Sequence, residues 1–213
     1  MKNYIKIETP FERATDGTKK LIEGKWRSES VNYLAYNQWV FTEKVDGTNI
    51  GIEWDGHEVS YHGHTEKAQI PPFLMEKLIE LFGNNETEEM FEQTFGEKHV
   101  IFYGEGYGGK IQKVGKLYRE DVSFILFDIY MPDSDVWLDR DDVVELAKAF
   151  GIEYVPFVHV GDIESAVAFV KTHPNSFLNS KAPMEGLVGR PFVEMKDKQG
   201  NRIIVKIKAK DFE

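Results

Sequence analysis

Three runs of alternating apolar and polar residues, 39–45, 47–54 and 57–62, follow one another with almost no chain between them. Alternation sends successive side chains to opposite faces, the pattern of half-buried strands. Asp46-Gly47 lies between the first two runs, and Asp-Gly in that position is a common hairpin signal. This stretch predicts antiparallel pairing before any other part of the chain is read.

The remaining elements fit that prediction. "HVIFYGEG" and "VSFILFDIY" are strands rich in β-branched and aromatic residues. "EYVPFVHV" reads as a strand, with Pro156 pointing to an edge. "EGLVGRPFVEM" and "NRIIVKIKAK" are two more, turning at Gln199-Gly200-Asn201. Leu74, Leu78 and Leu81 share one face of a helix that opens on proline and closes at Gly83. Val143, Leu146, Ala147 and Phe150 recur at helical spacing, as do Ile163, Ala166, Val167 and Val170. The acid-rich segment 85–95 predicts an exposed helix. Residues 1–38 read as irregular, with turns at Asp16-Gly17 and Glu23-Gly24. Strands and helices do not alternate strictly, so the expected class is α+β, mainly antiparallel sheets flanked by helices.

Gly104, Gly106 and Gly109 satisfy G-x-G-x-x-G, the dinucleotide fingerprint. That fingerprint requires a parallel βαβ unit opening an apolar helix. The segment that follows here is basic and carries Gly115, which argues against it.

Composition narrows the function. At 213 residues, with 41% hydrophobic and 13% aromatic content, the chain can bury a substantial core. It has no cysteine, which excludes disulfides, thiolate metal sites and thiol nucleophiles. No run suits a signal peptide or a membrane span, so a cytoplasmic protein without membrane contact is expected. The net charge of −10 argues against a polyanionic partner until its distribution is considered. "KIQKVGKLYR" (110–119) holds four basic residues and no acid, and "KDKQGNRIIVKIKAK" (196–210) holds six basic and one acid. A basic groove on an acidic body is compatible with nucleic acid.

Candidate chemistry resides in a few polar residues. Lys44 stands directly before Asp46-Gly47, Glu105 lies among glycines at a strand end, and Phe127-Asp128 sits in an apolar strand. Glu185 opens another strand. In "IVKIKAK", Lys206, Lys208 and Lys210 are expected on one strand face, with Val205, Ile207 and Ala209 toward the core. Taken singly, each has an ordinary explanation as a turn, a cap or a solvated edge.

Their order is more specific. Lys44-Val45-Asp46-Gly47-Thr48-Asn49, Tyr103-Gly104-Glu105, Phe127-Asp128-Ile129, Glu185-Gly186-Leu187-Val188 and Lys206-Ile207-Lys208 resemble five motifs of the covalent nucleotidyltransferases, the superfamily of ligases and capping enzymes. Asn49 and the Lys206/Lys208 pair make the chain most similar to RNA ligases of the RNA ligase 2 type. The resemblance spans residues 44–208 and implies the nucleotidyltransferase fold, an ATP-grasp-like ligase catalytic domain. One such domain over 1–213 is expected, without the OB-fold or helical accessory domain of longer relatives.

The resemblance also implies roles. Lys44 would attack the α-phosphorus of ATP, forming a lysine–AMP phosphoramidate and releasing pyrophosphate. A free lysine, with pKa ~10.4, is neutral only about once in a thousand near pH 7.4, a deficit of roughly 4 kcal/mol. Nearby cations favour the neutral amine and stabilise a pentavalent phosphate; Lys206, Lys208 and Mg²⁺ (or Mn²⁺) would supply them. Glu43 would contact adenine through its backbone and Phe127 would stack on the base. Asn49 and Glu105 would hold the ribose or orient phosphate. Asp46, Glu105 and Glu185 would hold a hydrated Mg²⁺ through its waters, with Asp128 in support. His64 in "YHGHT" occupies the place of a family arginine, exchanging a permanent bidentate phosphate donor for a side chain mostly neutral at pH 7.

The expected activity is ATP-dependent joining of a 5′-phosphate RNA end to a 3′-hydroxyl, in a nicked duplex or an RNA–DNA hybrid. A minimal ATP-dependent DNA ligase and a non-catalytic nucleotide- or RNA-binding module are the alternatives.

Overall fold

The computed structural model describes residues 3–65 and 68–213. In chain order it forms β1 (Phe11–Arg13), β2 (Leu21–Trp26), α1 (Glu29–Leu34), β3 (Trp39–Lys44), β4 (Thr48–Trp54) and β5 (Val59–Gly63). Next come α2 (Pro72–Phe82), α3 (Asn85–Phe95), β6 (Val100–Gly108), α4 (Gly115–Tyr118), β7 (Val122–Met131) and β8 (Val136–Trp137). The remainder holds α5 (Arg140–Ala149), β9 (Glu153–Tyr154), β10 (Phe157–Gly161), α6 (Ile163–Lys171), β11 (Gly186–Pro191) and β12 (Val205–Lys208). The expected α+β class holds: antiparallel ladders dominate, and β7–β9 is a short parallel exception. Among the described residues no helix is long and apolar enough to cross a membrane.

The chain divides into two compact units, residues 1–4 with 46–155, and residues 5–45 with 156–213. In the first, strands run β5-β4-β6-β7-β8, with β9 beside β7. Ile50 and Ile52 of β4, Phe102 of β6 and Leu126 of β7 share a core with Leu74 and Leu78 of α2. Helix α2 starts as its sequence predicts, with proline in the first turn, where a missing N–H costs nothing. Helix α3 is less exposed than its acidity suggests, because Thr87, Phe91 and Phe95 turn inward while the glutamates face water. Asn84 caps it, its side chain accepting from the Thr87 N–H at 2.9 Å.

In the second unit the strands run β10-β3-β11-β12. Trp39 and Phe41 of β3, Leu187 of β11, and Val205 and Ile207 of β12 pack on Ile163, Ala166 and Val170 of α6. Asp162 caps α6 by accepting from the Ser165 N–H at 2.7 Å.

Several expectations change. Residues 11–34 carry β1, β2 and α1. These pieces are too short, or in β2 too exposed, to show periodicity, and Gly24 sits inside β2 with φ +79° rather than in a turn. Asp46-Gly47 is not a hairpin turn: β3 pairs with β10 and β11, whereas β4 pairs with β5 and β6. Pro156 separates β9 from β10 instead of lying within one strand. Gly104 and Gly106 lie in β6, antiparallel to both neighbours, so no dinucleotide-binding unit exists there. Lys210 belongs to a 3-10 turn at Ala209–Phe212, beyond the strand face that holds Lys206 and Lys208.

Candidate functional site

In the second unit the polar cluster follows from strand register. Gly186 of β11 lies opposite Lys44 of β3 on one side and Lys208 of β12 on the other. Two strand spacings would separate those lysines by roughly 10 Å at the backbone. The Glu185 carboxylate bridges them. Its Oε2 accepts from Lys44 Nζ at 2.6 Å and its Oε1 pairs with Lys208 Nζ at 2.7 Å. All three side chains are largely shielded, between 16% and 22% exposed. Only glycine fits at 186: φ is +157°, and a Cβ there would collide with the Ile207 carbonyl.

One row along, Val188 lies opposite Thr42 and Lys206. Burial holds the Lys206 ammonium below its usual pKa, and the charges of Lys208 and Lys44 add to that effect. Its backbone N–H donates to the Glu8 carbonyl at 2.9 Å, where Glu8 bridges Val205 in parallel. Two lysines therefore share one carboxylate, and the charge of Lys206 acts on both from the next row, with Glu8 partly offsetting it, an arrangement suited to a phosphate oxyanion.

Glu43 points the other way. It is 1% exposed, and its Oε2 accepts from the Phe177 N–H at 2.8 Å. Burial pushes its carboxyl above the ordinary range, against the opposing hydrogen bonds of Ser176 and Phe177.

The first unit carries the other predicted residues. Asn49 of β4 lies opposite Glu105 of β6. At the entry to β4, Gly47 meets β6 so closely that a Cβ would lie 2.5 Å from the Gly106 carbonyl and 3.2 Å from Glu105 Oε2. The Gln112 side chain donates to the Gly47 carbonyl at 3.0 Å. His64 is exposed just past Gly63, the β5 partner of Ile50.

Phe127 occupies an irregular position. Tyr103 pairs with Asp128 and Gly104 with Leu126, so Phe127 is an extra residue in the ladder. Such a bulge re-aims a side chain, and Phe127 is half-buried between the buried Leu126 and Asp128. Tyr4 braces both residues: its ring meets Phe127 edge-on at 4.8 Å, and its hydroxyl donates to Asp128 Oδ2 at 2.7 Å.

Sequence reading missed Tyr4, Gln112 and Phe177. Tyr4 and Phe177 carry no local signal. Gln112, with φ +58°, is a left-handed non-glycine residue, detectable only from coordinates. Among the described residues no three His, Asp or Glu side chains form a ready-made metal cluster. Asp46 and Glu105 in the first unit and Glu185 in the second each offer hard carboxylate oxygens. That chemistry fits a hydrated Mg²⁺ or Mn²⁺.

Comparison with known proteins extends these observations. A Naegleria gruberi RNA ligase with a lysine-to-alanine change, bound to ATP and Mn, superposes with TM-score 0.67 at 17% identity over 96% of this chain and 56% of its own. A second variant of that ligase, with AMP and Mn, gives TM-score 0.66 at 17% identity over 97% of this chain and 62% of its own. An apo variant gives 0.67 at 19% identity over 96% and 56%. The chain thus spans little more than half the length of these ligases, and the likeness establishes the fold. No curated protein sequence matches. A family model described as RNA ligase matches residues 37–208, a span that runs from the start of β3 through both clusters to Lys208, and the chain belongs to that family.

Proposed function

We propose that this chain is the catalytic region of an ATP-dependent RNA ligase that works through a covalent lysine–AMP intermediate. The observation that carries the reading is the Glu185 carboxylate shared by Lys44 and Lys208, with Lys206 one row away. Family membership and the ATP- and AMP-bound Naegleria structures support it.

The Lys44 ammonium leaves Glu185, gives its proton to solvent, and the neutral amine attacks the α-phosphorus of ATP. An N–P bond forms, the bond to the bridging oxygen breaks, and pyrophosphate departs. Lys206 and Lys208 offset the charge that builds on the phosphate oxygens. An RNA 5′-phosphate oxygen then attacks the lysine-bound phosphorus, moving AMP to the RNA end and restoring the Lys44 amine. Finally the 3′-hydroxyl of the adjoining strand attacks the 5′-phosphate, and AMP leaves as the phosphodiester forms.

Phe127 would stack on adenine and the Glu43 backbone would meet its edge. Asn49 and Glu105 would hold the ribose or orient the phosphate, with His64 as an auxiliary phosphate contact. Asp46, Glu105 and Glu185 would hold Mg²⁺ or Mn²⁺ through water, and the bound ion supplies further neutralisation of phosphate charge. The ends to be joined would lie in a nicked duplex or an RNA–DNA hybrid.

The test is direct. Incubation with α-labelled ATP and Mg²⁺ should give a labelled band on a denaturing gel, and Lys44→Ala should abolish it while circular dichroism stays unchanged. Undiminished labelling of the folded variant would overturn the mechanism.

A further inference from the structure

The connection between β6 and β7 is longer than antiparallel neighbours need, since two to five residues usually suffice. Here residues 109–121 fill it and form a built turn. Ile111 and Tyr118 anchor the turn inward, 6% and 4% exposed. Gly108, Gly109 and Gln112 all have positive φ, at 87°, 49° and 58°. A non-glycine residue in that region is uncommon and tends to mark a functional constraint. Gln112 uses its conformation to latch the turn onto the Gly47 carbonyl, three residues along the chain from Lys44.

What this latched turn presents is positive charge. Lys110, Lys113 and Lys116 are exposed. None forms an ion pair among the described residues. Lys6, Lys25, Lys148 and Lys171 are paired with glutamates, whereas other exposed lysines such as Lys19, Lys98 and Lys181 are not, among the described residues. Arg119, at the base of the turn, is different. It is engaged by Asp121 at 2.6 Å and Glu153 at 2.7 Å, so its charge is neutralised locally. Glu120 is exposed beside it. What sets these three apart is their support: they stand together on one turn anchored by Ile111, Tyr118 and the Gln112 latch, on a chain of net charge −10.

We propose that the turn carrying Lys110, Lys113 and Lys116 binds the phosphate backbone of the RNA strand whose 5′-phosphate is to be activated. The inference rests on the ligase reading above and assigns its polynucleotide contact. Three exposed ammonium groups on long stems suit repeated phosphates rather than a base edge, so recognition would be independent of sequence.

Lysine adenylylation does not involve RNA, so the two proposals separate experimentally. The probe is a 5′-phosphorylated, fluorescein-labelled RNA oligonucleotide, with its affinity measured by anisotropy from low to moderate salt. Lys110→Gln, Lys113→Gln and Lys116→Gln together should leave Lys44 labelling by ATP unchanged. They should weaken RNA binding and flatten the plot of log affinity against log salt by about 2 units, given roughly 0.7 per phosphate contact on a single strand. Gln112→Ala, with all three lysines kept, should raise the KM for RNA in AMP transfer while labelling persists. An unchanged salt slope in the triple variant, with labelling intact, would overturn this inference alone. A change confined to the KM for ATP would overturn it too, because the lysines would then serve the nucleotide. Failure of the wild-type chain to become labelled would instead sink the ligase reading.

Discussion

Lys44 and Glu185, separated by 141 positions in the chain, meet at 2.6 Å, and the second oxygen of the same carboxylate holds Lys208. The proposed nucleophile is thus positioned by an ion pair that it must leave in order to react. Glu185→Gln keeps the shape of the bridge but removes its charge, leaving two shielded lysines with no counter-ion. Breaking a buried pair by removing one partner costs about 3–5 kcal/mol, and the 16–22% exposure here places this site below that range. Single-turnover adenylylation should slow markedly with little change in fold. A rate equal to wild type would mean the bridge is incidental.

Lys208 and Lys210 are predicted to differ. Lys208 ends β12 beside Glu185, whereas Lys210 is exposed in the following 3-10 turn. Lys208→Ala should slow adenylylation at saturating ATP by on the order of a hundred- to a thousandfold, about 2.7–4 kcal/mol. Lys210→Ala should have little effect. Equal rates for the two variants would remove Lys208 from the phosphate clamp.

Lys206 gives a prediction about protons. Burial, then Lys208 and Lys44, lower its pKa in the free protein. A bound triphosphate supplies opposing charge and should raise it again, so ATP binding at alkaline pH should take up protons. Calorimetry in two buffers of different ionisation enthalpy measures the uptake. It should fall in Lys206→Met, and undiminished uptake in that variant would place the proton on another group.

Glu43 affects stability in the opposite sense from a salt-bridged acid. Burial raises its folded pKa above the unfolded value of roughly 4.3. Its contribution is therefore fully present below the unfolded pKa and is lost as pH rises through the folded one. Glu43→Gln should gain stability relative to wild type between acid and neutral pH. Urea unfolding across that range would show the difference opening with pH, and a constant offset would contradict it.

Tyr4 should matter more than its terminal position suggests. Tyr4→Phe keeps the ring against Phe127 but strips a hydrogen bond from Asp128, which is 0% exposed. Leaving a buried carboxylate oxygen short of its donor costs about 1–3 kcal/mol. Tyr4→Ala should additionally raise the KM for ATP, because the bulged Phe127 loses its brace. Denaturant midpoints and nucleotide titrations together distinguish the two effects.

The sequence by itself determined the strands from 39 to 62, the apolar strands β6 and β7, the main helices and the ordered polar motifs. Each of these depends on side-chain periodicity or residue type over a short window, and that information is local. Tertiary structure decided what the windows could not carry. Asp46-Gly47 has the same turn chemistry whether it closes a hairpin or passes the chain from one sheet to another, and only the partners of β3 and β4 tell the two apart. The Phe127 bulge exists only as a mismatch between two strands. The Lys44–Glu185–Lys208 bridge requires Gly186 to sit between β3 and β12, a pairing set by burial of Trp39, Phe41, Leu187 and Ile207 rather than by the charged residues themselves. Hydrophobic burial chose the register, and the register brought distant charges together.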